Sequence, residues 1–272
     1  MAEATGLMKG KRGIILGVAN NRSIAWGIAK ACHDAGAEIA LTWQGDNLKK
    51  RVEPLANELN ALMAGHCDVT DPASIEDVFA RLEQEWGKID FVVHAIAFSD
   101  KEELTGRYID TSRENFAKSM DISVYSFTAI ARRAEKMMND GGSMLTLTYY
   151  GAEKVMPHYN VMGVAKAALE ASVRYMAVDV GGRGIRVNAI SAGPIKTLAG
   201  SAIGDFRYIL KWNEYNSPLK RNCTIDEVGN TALFLLSDLS TSVTGEVLHA
   251  DSGYHVVGMK AVDAPDISVV KD

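Results

Sequence analysis

Short apolar runs alternate with longer amphipathic stretches along almost the whole chain, and this alternation restricts the fold more than any other feature. The runs are rich in Ile, Val and Leu, and they predict strands over 12–17, 38–42, 61–67, 89–95, 142–147, 185–190 and 246–250. Near-continuous apolar strands separated by helices are typical of a parallel sheet covered on both faces. We therefore expect an α/β fold with a doubly wound, seven-stranded parallel sheet and ligands at the carboxyl ends of its strands.

Helical patterns fill the intervals between these strands. The sequence predicts helices over 23–35, 47–60, 111–139, 159–180 and 226–236, another that begins at Pro72, and an amphipathic segment over 198–212. No linker-like composition or repeat interrupts the pattern, so we expect a single domain over 1–272. The tail at about 261–272 has alternating charge and a proline, and it either frays or docks on a neighbouring subunit.

Composition excludes several classes of function. The formal charge of −5 argues against a protein that neutralises nucleic-acid phosphates. No apolar stretch approaches the roughly 20 residues of a membrane-spanning helix, and the start has no apolar core of signal-peptide length. The three cysteines are widely spaced and form neither a disulfide framework nor a metal site. The sequence predicts a cytoplasmic protein that binds no nucleic acid, membrane or metal.

A turn of small residues follows the first predicted strand and leads directly into a helix. It runs from Gly17 to Ile24, and its backbone N–H groups and the helix dipole favour an anion such as a pyrophosphate. Ser23 either caps that helix or turns its hydroxyl to a phosphate oxygen. Because Ala19 replaces the second glycine of the G-x-G-x-x-G pattern, an ordinary strand-to-helix turn is the alternative.

Two further positions favour a dinucleotide. Gln44 ends the second strand, where such folds place the residue that meets the adenosine ribose. A neutral amide bonds a ribose hydroxyl but does not pair with a 2′-phosphate, which favours NADH over NADPH. Asp68 and Val69 follow the third strand, where a carboxylate accepts a hydrogen bond from the adenine amino group. The alternatives are a solvated glutamine and the start of a turn.

A tyrosine and a lysine mark the segment that follows the fifth strand. Tyr159 and Lys166 are seven residues apart, so two helical turns place both side chains on one face, about 10 Å apart along the axis. This spacing suits two groups that contact different parts of one extended ligand. Taken alone, the pair is more often a coincidence of helical spacing.

The chain resembles a known family in several motifs. These are Gly17-x-Ala19-x-x-x-Ser23-Ile24-Ala25, Tyr149, Tyr159-x6-Lys166, RVNAISAGPIKT at 186–197 and GEVLHADSG at 245–253. They are similar to those of the bacterial NADH-dependent enoyl-acyl-carrier-protein reductases, the divergent branch of the short-chain dehydrogenase/reductase superfamily, over about 10–258. The Tyr-x6-Lys spacing is the specific part, because ordinary superfamily members use Tyr-x3-Lys.

The resemblance implies a Rossmann-like fold and a reaction. The family reduces the double bond of a trans-2-enoyl thioester with NADH, the last step of each fatty-acid elongation cycle. Tyr159 would stabilise the enolate oxygen, and Lys166 would hold the nicotinamide ribose. Tyr149 would line the acyl site. Whether a tyrosine or a water protonates the α-carbon stays open.

The resemblance also implies binding residues. Those expected at the cofactor are Gly17, Ser23, Ile24, Gln44, Asp68, Val69, Ile96, Lys166, Ile195 and Thr197. Those expected at the substrate are Ala97, Tyr149, Tyr159, Ile203 and Phe206. Simple packing is the alternative for Ile96 and Ile195.

The same resemblance implies a mobile segment, a partner protein and an oligomeric state. A mobile segment at about 196–214 would cover the acyl chain, with an ordinary surface helix as the alternative. Its basic residues Arg207 and Lys211, with Lys220 and Arg221, would meet the acidic acyl carrier protein that bears the enoyl substrate, or simply form a solvated face. The family forms homotetramers, and the predicted helices over 111–139 and 159–180 are candidate interfaces.

Two departures from the wider superfamily stand out. His94-Ala95-Ile96-Ala97 replaces its Asn-Asn-Ala-Gly, and Ala97 adds a methyl group where close relatives often have glycine. Asp121 occupies the helix position of its catalytic asparagine. These differences move the chain away from alcohol dehydrogenases.

Two rival functions remain open. A 3-oxoacyl or other carbonyl reductase of this fold would need a serine about 13 residues before the active tyrosine and a lysine four after it, where this chain has Thr146 and Gly163. A catalytically silent NAD-binding relative would be expected to lose Tyr159 or Lys166, and both are present.

Overall fold

The computed structural model describes residues 6–198, 200 and 203–267. The strands are β1 (Arg12–Leu16), β2 (Glu38–Trp43), β3 (Leu62–His66), β4 (Ile89–His94), β5 (Met138–Thr148), β6 (Arg186–Ala192) and β7 (Val247–Ala250). The α-helices are α1 (Ile24–Asp34), α2 (Gly45–Glu58), α3 (Pro72–Trp86), α4 (Lys101–Leu104), α5 (Arg113–Met120), α6 (Ser126–Glu135), α7 (Asn160–Val180), α8 (Phe206–Asn216) and α9 (Ile225–Leu236). A π-turn, Asp121–Tyr125, joins α5 to α6.

The strands form one parallel sheet in the order β3-β2-β1-β4-β5-β6-β7. The predicted fold, a doubly wound seven-stranded sheet in a single Rossmann-like domain, is confirmed. Strand order reverses beside β1, which pairs with β2 on one side and β4 on the other. This is the topological switch point, where the loops after β1 and β4 diverge and leave a crevice for a ligand.

Apolar layers bury both faces of the sheet. Phe79 and Phe127 belong to the core on one face, and Trp26 and Leu235 to the core on the other. Because both faces are covered, β6 is buried at every position of Arg186–Ala192. This accounts for the near-continuous apolar runs of the sequence. Among the described residues, no helix is long and apolar enough to cross a bilayer.

The predicted helix over 111–139 is wrong in two respects. It is interrupted by the π-turn at Asp121–Tyr125, where the Ser126 hydroxyl donates to the carbonyl of Ile122 at 2.7 Å. It also ends early, because Met138 is buried and pairs with Ile89 as the start of β5. Tertiary pairing therefore overrides the helical pattern at this end.

The last part of the chain also differs from expectation. The amphipathic segment predicted over 198–212 is helical only in α8, which begins at Phe206 and continues to Asn216; 199, 201 and 202 lie outside the described residues. In the predicted tail, the Ala261 N–H donates to Asn216 at 3.2 Å and Ile267 is buried. The tail thus packs on its own chain as far as 267, and 268–272 lie outside the described residues.

Candidate active site

A cavity of about 780 Å³ opens at the carboxyl ends of the strands, at the switch point. Every residue that the sequence predicted at cofactor or substrate contributes to its wall. The wall includes Gly17, Ser23, Ile24, Gln44, Asp68, Val69, Ile96, Ala97, Tyr149, Tyr159, Lys166, Ile195, Thr197, Ile203 and Phe206. Residues far apart in sequence therefore meet in one space that is large enough for an extended ligand.

The turn after β1 brings two backbone segments, at Gly17 and Ala95, close together. Gly17 has φ +103°, and a side chain there would collide with the Ala95 carbonyl. The Ser23 hydroxyl oxygen accepts hydrogen bonds from the N–H groups of Ala19 at 3.0 Å and Asn20 at 3.1 Å. Ser23 makes no side-chain capping bond to α1, so the capping alternative is wrong. The hydroxyl instead fixes the turn.

The start of α1 provides the anion site of this turn. The N–H groups of Ile24 and Ala25 lie in the first turn of the helix and have no intrahelical acceptor. Both residues line the cavity. The helix dipole and these N–H groups fit a pyrophosphate. This end of the cavity therefore suits a dinucleotide even without the second glycine.

The far end of the cavity has polar groups for an adenosine. Gln44 is the residue before α2 and lines the cavity together with Asp68. The Asp68 carboxylate accepts from the Thr70 N–H at 3.0 Å and the Thr70 hydroxyl at 2.7 Å. These bonds hold the pKa of Asp68 below its usual value, so the group stays an ionised acceptor.

Two tyrosines lie together at the end of the cavity opposite to Gln44 and Asp68. Tyr149 follows β5 and Tyr159 precedes α7; their ring centroids are 5.0 Å apart, edge to face at 76°. Tyr159 is 6% exposed. Burial raises the pKa of both phenols, so each keeps its proton at neutral pH and serves as a hydrogen-bond donor.

Lys166 projects from α7 into the same space. Its Nζ donates to the Leu147 carbonyl at 2.8 Å, which fixes the amine beside the end of β5. Burial lowers the pKa of Lys166 to about 8, and the nearby Glu170 carboxylate opposes that shift. Glu170 itself accepts from the Thr148 hydroxyl at 2.7 Å. Lys166 is therefore a positioned cation near neutral pH that loses its charge at mildly alkaline pH.

The position four residues after Tyr159 has no room for a lysine. A Cβ at Gly163 would lie 2.7 Å from the Gly151 carbonyl oxygen, because α7 and the preceding turn are in close contact there. The Tyr-x3-Lys arrangement of ordinary short-chain enzymes therefore does not fit this backbone. This disfavours the carbonyl-reductase alternative on steric grounds.

The segment before α8 and α8 itself form the cavity wall at the end where Tyr149 and Tyr159 lie. Ile203, from the segment, and Phe206 and Ile209, from α8, line the cavity. His158 Nε2 lies 3.0 Å from Asp205 Oδ2, and His158 immediately precedes Tyr159. This contact joins the segment before α8 to the turn that carries Tyr159.

Some wall residues were not predicted from sequence. Phe98, Ile122 and Met162 line the cavity. Phe98 follows β4 at the ligand-binding edge, and this position was a usable signal. Asp121, at the helix position where the wider superfamily carries its asparagine, is exposed, and the neighbouring Ile122 lines the cavity.

Two features of the site occur together. A helix N-terminus at the switch point suits a pyrophosphate, and Tyr159 and Lys166 lie beside it along α7. This combination defines a nicotinamide-dependent oxidoreductase of the short-chain dehydrogenase/reductase class. Comparison with known proteins narrows this class. A family model described as enoyl-(acyl carrier protein) reductase matches residues 17–255. The chain belongs to the enoyl-acyl-carrier-protein reductase family.

Individual relatives agree over the full length. The chain is 82% identical over 272 residues, all of both chains, to enoyl-(acyl-carrier-protein) reductase (NADH) 1 of Rhizobium meliloti strain 1021. It is 56% identical to the corresponding NADH enzyme of Rickettsia bellii, over 95% of this chain and 98% of that one. The crystal structure of the Anaplasma phagocytophilum enzyme in complex with NAD matches with a TM-score of 0.91 and 62% identity, over 97% and 100% of the chains. The family membership predicted from the motifs is confirmed.

Proposed function

We propose that this chain reduces the trans-2 double bond of enoyl-acyl-carrier-protein thioesters with NADH, in the last step of the fatty-acid elongation cycle. The observation that carries this proposal is the corner formed by Tyr149, Tyr159 and Lys166 at one end of a cavity whose other end suits a dinucleotide. NADH, when bound, supplies the hydride that the β-carbon of the substrate receives.

Tyr159 stabilises the charge that develops on the substrate. Hydride addition to the β-carbon moves negative charge onto the thioester oxygen as an enolate. A buried phenol that retains its proton donates a hydrogen bond to this oxygen, which is worth most in a site that excludes water. Tyr149 lies edge-to-face against the Tyr159 ring and lines the acyl site.

Lys166 orients the cofactor. Its bond to the Leu147 carbonyl fixes the amine, and its remaining N–H groups donate to the nicotinamide ribose hydroxyls. Gln44 and Asp68 hold the adenosine, the turn at Gly17 and Ser23 holds the pyrophosphate, and Thr197 with Ile195 contacts the nicotinamide end. Because these residues hold the cofactor in one orientation, less entropy is lost when cofactor and substrate reach the geometry of hydride transfer, and the activation free energy falls.

An NADH-oxidation assay with two substrates tests the proposed reaction. We expect turnover with crotonyl thioester and none above background with acetoacetyl thioester, because Gly163 leaves no place for the lysine of a carbonyl reductase. Activity with acetoacetyl thioester alone would establish the carbonyl-reductase alternative. Tight NADH binding without turnover of either thioester would establish a silent relative.

We propose that the segment at about 196–214 covers the acyl chain. Ile203 and Phe206 line the cavity, and the contact between His158 and Asp205 joins the segment to the turn before Tyr159. The basic residues Arg207 and Lys211 lie on its helical part, α8. Arg221 of the predicted basic group instead pairs with Glu227 at 2.8 Å.

Reversing the charge of α8 should weaken recognition of the carrier protein. We expect Arg207→Glu with Lys211→Glu to raise KM for the carrier-bound substrate about tenfold, because charge complementarity governs encounter with an acidic partner. KM for a coenzyme A analogue should change less than about twofold, since the analogue presents no acidic protein surface to α8. Steady-state kinetics with both substrates measures this. Equal increases for the two substrates would remove the docking role.

We propose that the chain forms a homotetramer through α7 and the helices beside it. Tyr175 and Val178 project from α7 and are 78% and 82% exposed. Adjacent apolar side chains at this exposure mark interaction surfaces. Tyr175→Glu with Val178→Glu should convert a tetramer into smaller species in sedimentation velocity. A wild-type protein that sediments as a monomer would contradict the proposal.

We also propose that the protein works in the cytoplasm. Cys32, Cys67 and Cys223 are free and buried, which is typical of proteins in a reducing compartment. Cell fractionation followed by immunoblotting tests this, and recovery in the envelope or the medium would contradict it.

A further inference from the structure

A fully buried histidine lies behind the active site without lining the cavity. His94 is the last residue of β4, and its side chain is 0% exposed. Its Nδ1 lies 3.0 Å from the Thr146 hydroxyl and its Nε2 lies 2.7 Å from the Ser126 hydroxyl. The mechanism above does not use this residue, although its ring is among the few buried polar groups that bridge the sheet and a helix.

Both hydroxyls that contact His94 also lie within hydrogen-bond distance of a backbone carbonyl. The Ser126 hydroxyl is 2.7 Å from the Ile122 carbonyl, and the Thr146 hydroxyl is 3.1 Å from the carbonyl of His94 itself. Burial and the charge of Lys166 lower the pKa of His94 to about 3, so the ring is neutral at working pH. A neutral ring donates through one nitrogen and accepts through the other, so it bridges the two hydroxyls in either tautomer.

Ser126 stands immediately after the π-turn of Asp121–Tyr125. Single π-turns are uncommon within helices and occur often at functional sites. Here the Ser126 hydroxyl, held by His94, binds the carbonyl of Ile122 within the turn. The turn directs the Ile122 side chain into the cavity. The tilted contact between the His94 and Phe127 rings, 5.1 Å apart, supports the same segment.

The same π-turn is also hydrogen-bonded to a second part of the cavity wall, at Phe98. Ser123 lies within it, and its hydroxyl accepts from the Phe98 N–H at 3.0 Å and donates to the Phe98 carbonyl at 3.1 Å. Phe98 lines the cavity. A continuous set of bonds therefore runs from His94 through Ser126 and the π-turn to two wall residues, Ile122 and Phe98.

We infer that His94 is a positioning residue: the hydrogen bond between its Nε2 and Ser126 holds the π-turn in the register that presents Ile122 and the backbone of Phe98 to the enoyl substrate. This role deepens the proposed function and rests on it. It assigns a function to the histidine that replaces the first asparagine of the Asn-Asn-Ala-Gly pattern. The Thr146 bond orients the ring, whereas the Ser126 bond transmits its position.

Three variants separate the two bonds of the ring. In His94→Gln the side-chain amide reaches the position of Nε2 and keeps the bond to Ser126. In His94→Asn the shorter amide reaches the position of Nδ1 and keeps only the bond to Thr146. Thr146→Val is the matched control, because it removes the Thr146 bond and leaves the Ser126 bond in place.

We expect His94→Asn to raise KM for the enoyl thioester and to lower kcat, about tenfold or more in kcat/KM, with KM for NADH unchanged, because a small misplacement of wall groups is costly. Ser126→Ala should give a similar loss, and the two losses should not add in the double variant. His94→Gln and Thr146→Val should retain most of the wild-type kcat/KM. Thermal unfolding of each variant reports stability separately.

Two results would overturn the inference. One is a His94→Gln enzyme no more active than His94→Asn at equal folded fraction. The other is a loss of activity in every variant, Thr146→Val included, that follows only the loss of thermal stability. If His94→Asn does not fold, Ser126→Ala provides the test on its own. Wild-type kinetics of the Ser126→Ala enzyme would then refute the positioning role of His94. Either outcome leaves the crotonyl-thioester activity of the wild-type enzyme, and so the proposed function, untouched.

Discussion

Tyr159→Phe is expected to lower kcat for a short enoyl thioester by about 100- to 1,000-fold, the usual loss when one donor to a developing oxyanion is removed. The substitution deletes only the phenol oxygen. The ring retains its edge-to-face contact with Tyr149 and its buried packing, so the fold should persist. Steady-state kinetics with crotonyl thioester measures the effect, and NADH titration should give the wild-type Kd.

Tyr150→Phe provides the matched control for this experiment. Tyr150 is also buried, and its hydroxyl donates to the His255 carbonyl at 3.2 Å, outside the cavity wall. We expect its kcat to stay within about twofold of wild type, since it removes a structural hydrogen bond only. A Tyr159→Phe enzyme as active as Tyr150→Phe would exclude Tyr159 as the oxyanion donor.

Lys166→Met is expected to weaken NADH binding by about 10- to 100-fold, the value of hydrogen bonds from a charged donor. Methionine fills the volume of the lysine stem without its charge, and the site is buried, so the folded protein should tolerate it. Isothermal titration with NADH measures the change. Lys154→Met, at an exposed lysine outside the cavity wall, is the control and should bind NADH normally.

The lowered pKa of Lys166 adds a pH dependence to this prediction. The amine is charged below about pH 8 and neutral above it, and only the charged form donates all its N–H groups strongly. The wild-type Kd for NADH should therefore rise as the pH increases through about 8, up to tenfold per pH unit in the limit of a single linked proton. Lys166→Met should show no such change. A wild-type Kd that is constant from pH 7 to 10 would contradict loss of the Lys166 charge near pH 8; the Lys166→Met titration tests the ribose contact itself.

The fold was predictable because its dominant signal is local. Strands buried on both faces leave continuous apolar runs, and six of the seven predicted strands agree with the observed bounds to within two residues. The exception is β5, which begins at Met138, four residues before the predicted start. The errors arose where contacts distant in sequence accompany the change in backbone. Ser126, next to the π-turn at Asp121–Tyr125, bonds to His94, and Met138, beyond the end of α6, pairs with Ile89. Periodicity within 111–139 does not carry that information.

The site was predictable to the extent that its residues occur at strand ends or in spaced motifs. Gly17, Gln44 and Asp68 follow strands, and Tyr159 and Lys166 share a helix face, so sequence brought them to one edge of the sheet. Ile122 was missed because it lies in mid-helix, where neither a strand end nor a spaced motif marks it, and its place in the cavity wall is visible only in the structure. Gly163 was identified as unable to replace a lysine, but the carbonyl of Gly151 that excludes any side chain there is visible only in the structure.

A crystal structure of the protein with NAD⁺ and an enoyl-thioester analogue gives the most direct test. The account predicts that the Tyr159 hydroxyl lies about 2.7 Å from the thioester oxygen, the usual length of such a bond, and that Lys166 Nζ bonds the nicotinamide ribose. A thioester oxygen held by another group, with Tyr159 turned away and Lys166 remote from the ribose, would contradict it.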